Sequence, residues 1–123
     1  MRNLRVSYKK GWETLGGKAC FFKSRWESVF AKYIEWQRSI GCIKDWAYEP
    51  ETFWFNGIKR GCVSYKPDFK ITEADGSHYW IEIKGYMDAK SATKIKRFRK
   101  YFPKERLYVL QKEWFVKNRT SIS

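Results

Sequence analysis

Hydrophobic and polar residues fall into two helical and several strand-like patterns along the chain. From Ser24 to Ile40, the residues Trp26, Val29, Phe30, Tyr33, Gln37 and Ile40 recur at helical spacing, and Gly41 ends the run. Ile43 to Tyr48 reads as a first strand; Glu49-Pro50-Glu51 breaks it, and Thr52 to Phe55 resumes extended structure. Asn56-Gly57 turns the chain, and Cys62 to Lys66 forms a strand running into Pro67. Residues 79 to 84 alternate, with Tyr79, Ile81 and Ile83 on one face and Trp80, Glu82 and Lys84 on the other. A second helix, capped by Asp88 or Ser91, runs to Tyr101 or Phe102, where Pro103 stops it. Its apolar stripe is Ala92, Ile95, Phe98 and Phe102. Arg106 to Gln111 is a last β-prone strand, expected to lie parallel to its neighbour after the helical crossover. The order is helix, three strands, helix, strand, which predicts an α/β fold with a mixed sheet.

The two ends are less patterned. Residues 1–23 are basic, with Arg2, Arg5, Lys9, Lys10 and Lys18 around Gly11, Gly16 and Gly17. They read either as a flexible arm touching a phosphate backbone or as a loosely ordered terminus, with Val6 to Tyr8 offering a short edge strand. Residues 112–123 form a tail with a short helix around Trp114 to Val116.

Candidate chemistry sits between Tyr65 and Gly85. Glu82 and Lys84 stand side by side on a strand flanked by apolar residues, an expensive place for charge without a metal, partner or substrate. Asp68 opens the neighbouring strand, and Asp75-Gly76 is a tight-turn dipeptide that folds Asp68 back beside them. Register limits how this happens. A strict two-residue loop at 75–76 would pair position 68 with 83 and turn Asp68 to the wrong face. For the site to form, the loop must be longer by an odd number of residues, or the hairpin must carry a bulge. Two carboxylates and a lysine at one spot suit phosphodiester hydrolysis. Oxygen ligands hold a hard cation such as Mg²⁺, which activates water and offsets charge on the phosphorane, and the lysine adds a further cation.

Composition and charge narrow the partners. A chain of 123 residues is expected to be one domain with one core, and with 43% hydrophobic and 20% aromatic residues it folds. Lys and Arg number 26 against 13 acidic residues, a formal charge of +13, which points to a polyanion and to nucleic acid first. An anionic membrane competes as partner. No apolar run reaches the roughly 18 residues of a spanning helix and no signal peptide is present, so a soluble cytoplasmic protein, not secreted, is expected. Along the second helix Lys90, Lys94, Lys96, Arg97, Arg99 and Lys100 form a cationic face with no acidic residue among them. Such a face is either simply solvated or a phosphate contact, and the lack of i,i+4 ion pairs favours phosphate. Lys59 and Arg60 add a basic loop.

Several residues carry two readings. Ser24-Arg25-Trp26-Glu27 fits a capping box in which Glu27 folds back onto the Ser24 amide. Glu27 also lies at the border of the apolar stripe, near Ala31 and Ile34, where it can point at the sheet. Trp46, Tyr48, Phe53, Trp54 and Phe55 are core or base-stacking aromatics. Cys20, Cys42 and Cys62 are too widely spaced for a disulfide framework; they read as reduced thiols, or with His78 as a zinc site lacking the usual C-x₂-C pair.

Pro67-Asp68 and Glu82-Ile83-Lys84 resemble the PD and ExK of the PD-(D/E)XK nuclease superfamily. The resemblance extends from Ser24 to Gln111, since the predicted element order is similar to that superfamily's restriction-endonuclease-like αβββαβ core. It implies a metal-dependent DNA endonuclease in which Asp68, Glu82 and the main-chain carbonyl of Ile83 bind Mg²⁺, with Mn²⁺ as substitute. Lys84 would orient or help deprotonate water, and Glu27 would complete the acidic cluster, with Glu35 as the alternative on the outward face. Lys90, Lys94, Arg97, Lys100, Lys59 and Arg60 would touch DNA. A small basic chain without a separate reader domain is similar to phage and archaeal Holliday-junction resolvases, which implies four-way junctions as substrate, a role in DNA recombination and a homodimer. The rivals are a restriction-type, nicking or transposase-associated enzyme cutting ordinary duplex, and a non-catalytic nucleic-acid binder on a nuclease-like fold.

Overall fold

In the computed structural model, which describes residues 11–118, the first described element is a hairpin, where an arm or a loosely ordered terminus was expected. Strands β1 (Gly11–Leu15) and β2 (Lys18–Phe22) pair antiparallel around Gly16 and Gly17, both at positive φ (56° and 81°). Two left-handed residues give the turn whose twist matches the flanking strands. Phe22 and Cys20 are buried, which ties the hairpin to the core. The arm reading therefore fails for residues 11–22, because alternation within GWETL and KACFF buries one face. Arg2, Arg5, Lys9, Lys10 and the Val6–Tyr8 strand lie outside the described residues.

Helix α1 (Arg25–Ser39) follows, with Ser24 as its N-cap. Phe30, Ala31 and Ile34 form its inner face, while Ile40 caps the end and is 54% exposed. The expected stripe through Gln37 and Ile40 drifts off the core, since Ala31 and Ile34 occupy the face that meets the sheet.

Four strands then build the main sheet: β3 (Asp45–Tyr48), β6 (Phe69–Thr72), β7 (His78–Ile83) and β8 (Leu107–Leu110), in the spatial order β3-β6-β7-β8. Between β3 and β6, β4 (Phe53–Trp54) and β5 (Ser64–Tyr65) pair as a separate ribbon. The strand expected over Cys62–Lys66 shortens to these two residues, because the segment leaves the sheet so that Phe53, Phe55 and Tyr65 can pack on Phe98 and Trp80. Trp54 remains exposed, and Trp46, Phe53 and Phe55 are core.

The β6–β7 pairing is antiparallel, with Phe69 opposite Ile81 and Thr72 opposite His78. Glu73 pairs with Ser77 (N–H to O, 2.7 Å) and the Gly76 amide reaches the Glu73 carbonyl at 2.9 Å. The loop is thus one residue longer than a strict two-residue turn, with Gly76 at φ 91° as its left-handed residue. This odd extension sets position 68 opposite 82.

Helix α2 (Ala89–Tyr101), capped by the Asp88 carboxylate on the Ser91 amide at 2.6 Å, carries the chain from β7 to β8, which run parallel. Its buried face is Ser91, Ile95 and Phe98; Ala92, expected inside, is exposed, since Ser91 takes the position one turn before Ile95. Helix α3 (Lys112–Lys117) packs Phe115 on Trp26, with ring centroids 4.7 Å apart. Ile81 and Ile83 join the cluster under α1, and Trp80 joins the one under α2, so the sheet is covered on both faces. Among the described residues no helix is long and apolar enough to cross a membrane.

Candidate active site

Asp68 immediately precedes β6, and the register just described turns it to the α2 face with Glu82 and Lys84 of β7. These three side chains line one cavity of about 270 Å³, closed by Lys23, Glu49, Tyr65, Lys66 and, from α2, Ser91, Lys94 and Ile95. Both carboxylates are buried, yet each is held. Asp68 Oδ2 accepts the Ile83 amide at 2.7 Å, and Glu82 Oε1 accepts the Tyr65 hydroxyl. Glu82 Oε2 lies 3.5 Å from Lys84 Nζ.

Burial dominates the electrostatics. It pushes the Asp68 carboxyl well above the usual range, helped by the negative charges of Glu82 and Glu27 and only partly countered by the Ile83 amide. Glu82 rises for the same first reason, against the pull of Tyr65 and Lys84. Tyr65 is itself driven upward by burial and by the Glu82 charge, so it stays a donor. Buried side by side, the two acids resist ionising together.

Glu27 answers to both of its readings. The Ser24 hydroxyl accepts the Glu27 amide at 3.1 Å, which is half of a capping box. The other half differs from expectation: Glu27 Oε1 accepts the amide of Lys23, at 3.0 Å, and the Tyr48 hydroxyl, at 2.7 Å, and not the Ser24 amide. The side chain is buried and opens on a second pocket that shares Lys84 with the first and is bounded by Trp26, Ile83, Gly85 and Tyr86. Glu35 lies elsewhere. Its carboxylate takes a bidentate bond from Arg38 (2.9 and 2.6 Å) and the Trp46 indole at 2.8 Å, a structural assignment.

Of the basic residues expected at DNA, only Lys94 lines the cavity. Lys90 and Lys100 are exposed on α2, and Lys59 and Arg60 are exposed in the β4–β5 connection, away from the cavity. Arg97 is half-buried and donates to the Cys62 carbonyl at 2.7 Å, so its guanidinium braces the ribbon against α2.

Sequence reasoning missed Lys23, Glu49, Tyr65 and Lys66. Glu49 had read only as part of a strand break, yet it is the one non-glycine residue at positive φ (47°) among the described residues. Its amide donates to the Asp68 carbonyl at 2.7 Å, and its carboxylate meets Lys23 at 3.0 Å and Lys66 at 4.0 Å. Lys66 could have been suspected from its place directly before Pro67-Asp68.

Among the described residues no three His, Cys, Asp or Glu side chains form a ready-made metal cage, which includes the cysteines and His78. His78 instead meets Glu105 at 2.8 Å, and the Cys62 thiol reaches the Lys90 carbonyl at 3.6 Å. The residues that could hold a cation are Asp68 and Glu82, since Mg²⁺ takes one or two carboxylates and keeps several waters.

Residues 9–119 match the family described as Protein of unknown function (DUF1064), and the chain belongs to that family. No curated protein matches it.

Proposed function

We propose that this member of the DUF1064 family is a metal-dependent endodeoxyribonuclease of the PD-(D/E)XK kind, acting in the cytoplasm as a homodimer on branched DNA such as four-way junctions. One observation carries the reading: Asp68, Glu82 and Lys84 meet in a single polar cavity walled on one side by α2. The succession α1, β3, β6, β7, α2, β8, with the main sheet ordered β3-β6-β7-β8, supports a restriction-endonuclease-like αβββαβ core.

Mg²⁺, or Mn²⁺ in its place, would be held by Asp68, Glu82 and the Ile83 carbonyl, and bound there it supplies Lewis acidity and a more acidic water. The side chains do the rest. The Ile83 amide fixes Asp68, and Tyr65 fixes Glu82, so neither carboxylate has to be ordered when substrate arrives. Lys84, half-buried beside Glu82, orients the attacking water and offsets the negative charge that develops on the phosphate oxygens. Glu27, across Lys84 from the main cavity, positions water or a second ion. Lys94 sits within reach of the phosphate, and Lys90 and Lys100 continue the cationic face outward along α2. A charge of +13 suits recognition by phosphate placement, which is how branched DNA differs from linear duplex.

The test is cleavage of a labelled four-way junction and a matching linear duplex in Mg²⁺, beside Asp68→Asn and Lys84→Ala. Paired nicks on the junction alone, absent in both variants, are expected. Equal cutting of both substrates would keep the site and replace the substrate with ordinary duplex. Binding without cleavage in either Mg²⁺ or Mn²⁺ would leave a non-catalytic binder.

A further inference from the structure

We propose that Lys23 and Lys66 form a binding site for a backbone phosphate beside Asp68 and Glu82, and that the Glu49 carboxylate holds this site until the phosphate displaces it. The inference rests on the nucleic-acid reading above and assigns two lysines and a carboxylate to one task.

Three observations lead there. First, Glu49 bridges the two lysines, Oε2 to Lys23 Nζ at 3.0 Å and Oε1 toward Lys66 Nζ at 4.0 Å. A carboxylate spanning two ammonium groups presents them with two anionic oxygens, as a phosphodiester does. Second, the lysines are open to solvent while their anion is not: the side chains are 58% and 48% exposed for Lys23 and Lys66, against 18% for Glu49. Lysines on flexible stems can follow an incoming phosphate outward, and a strongly hydrated ammonium exchanges one anion for another at little cost. Third, Glu49 is held in the left-handed region, at φ 47°, directly before Pro50. Backbone held in a sparsely populated conformation recurs at clamps and switches.

Position completes the argument. Lys23, Lys66, Lys84 and Lys94 face Glu49, Asp68 and Glu82 in one cavity. With a metal on Asp68 and Glu82, Glu49 is the remaining carboxylate there, and left in place it would repel the phosphodiester chain. The Glu49 amide donates to the Asp68 carbonyl, so the residue is anchored to the site through its backbone, and its carboxylate is held by the two lysines.

The experiment measures affinity of the full chain for a short labelled duplex in EDTA, where no cleavage takes part. Glu49→Gln is expected to bind about tenfold more tightly, with a salt dependence steeper by about one counterion. That gain should vanish when Lys23→Ala and Lys66→Ala are added, and the pair of lysine substitutions alone should weaken binding several-fold. Glu51→Gln, an exposed acid in the same segment, controls for loss of one negative charge and is expected to change affinity by no more than about twofold. A Glu49→Gln protein no tighter than Glu51→Gln overturns the proposal, as does a gain that survives loss of both lysines. The two readings fail separately. Tight binding by Glu49→Gln in a protein that never cleaves DNA would keep this site and sink the nuclease; cleavage by a wild type whose affinity ignores Glu49 would do the reverse.

Discussion

The Ile83 amide donates to Asp68 Oδ2 at 2.7 Å, so a bond at the end of the β6–β7 ladder that a backbone carbonyl would normally take is given to a buried carboxylate. That bond fixes Asp68 beside Glu82 but does not offset its burial, which together with the charges of Glu82 and Glu27 raises its affinity for a proton. Above about pH 4, where the unfolded carboxyl ionises, the native state still binds that proton. Native protein then holds more protons than unfolded, and stability falls as pH rises until the raised native value is passed. Asp68→Asn keeps an oxygen for the Ile83 amide and removes the charge. It is expected to raise stability at pH 7 by about 1–3 kcal/mol, read as a higher melting temperature, with the gain shrinking toward pH 5. Mg²⁺ should raise the melting temperature of the wild type and not of Asp68→Asn. A variant less stable than wild type at pH 7 would show that Asp68 is well satisfied without a metal.

Tyr65 supports Glu82 in the same way. Its hydroxyl is a donor to the Glu82 carboxylate in a buried setting, and it lowers a carboxyl that burial raises. Tyr65→Phe removes that donor, so Glu82 should ionise at still higher pH. Cleavage at pH 7 is expected to fall by about tenfold and to recover toward wild type as pH is raised, the acid limb of the pH profile having moved up. A uniform loss at every pH would mean that Tyr65 merely packs against Phe98.

Much of this site could be read from the chain, and the limits have physical causes. The alternation over residues 79–84 fixed which face Glu82 and Lys84 share, and parity left either an odd extension of the loop or a bulge, of which Glu73–Ser77 supplies the first. Helix α2 was legible in its extent because Asp88 and Pro103 punctuate it, with the cap left between Asp88 and Ser91 until the structure settled on Asp88. What escaped were contacts made by tertiary placement. Glu49 reaches the cavity through an unusual backbone angle that no local pattern encodes, and Lys23 does so from the end of a hairpin whose alternation is only five residues per strand. The stripe on α1 was misplaced at Ile40 because periodicity locates a face but not where the partner sheet stops.

Glu35 offers a contrast to the site carboxylates. Hydrogen bonds from Arg38 and then, against the cost of burial, from Trp46 hold it down at about 2. Its stabilising contribution is therefore fully present above its ordinary value of 4.5 and is lost as pH falls through about 2. Glu35→Gln should cost about 1–2 kcal/mol at neutral pH, a deficit that closes in acid, with DNA cleavage unchanged. A cleavage defect at full folding would reinstate Glu35 as a site residue.

Glu27 separates capping from chemistry most directly, because two substitutions dissect its two halves. Ser24→Ala removes the hydroxyl that accepts the Glu27 amide and leaves the carboxylate untouched. It is expected to cost about 1 kcal/mol of stability, as loss of an N-cap does, while cleavage stays near wild type. Glu27→Gln does the opposite. The amide oxygen can still accept from Lys23 N–H and the Tyr48 hydroxyl, so the melting temperature should barely move. The charge beside Lys84 is gone, however, and cleavage is expected to drop by about 10²-fold, within the range of a lost acid–base or water-positioning group. The comparison is made at one temperature well below both melting points, with DNA affinity in EDTA measured alongside. If Glu27→Gln cuts DNA as fast as wild type, the carboxylate is only an anchor for the Lys23 amide and Tyr48, and the acidic cluster of the site is Asp68 and Glu82 alone.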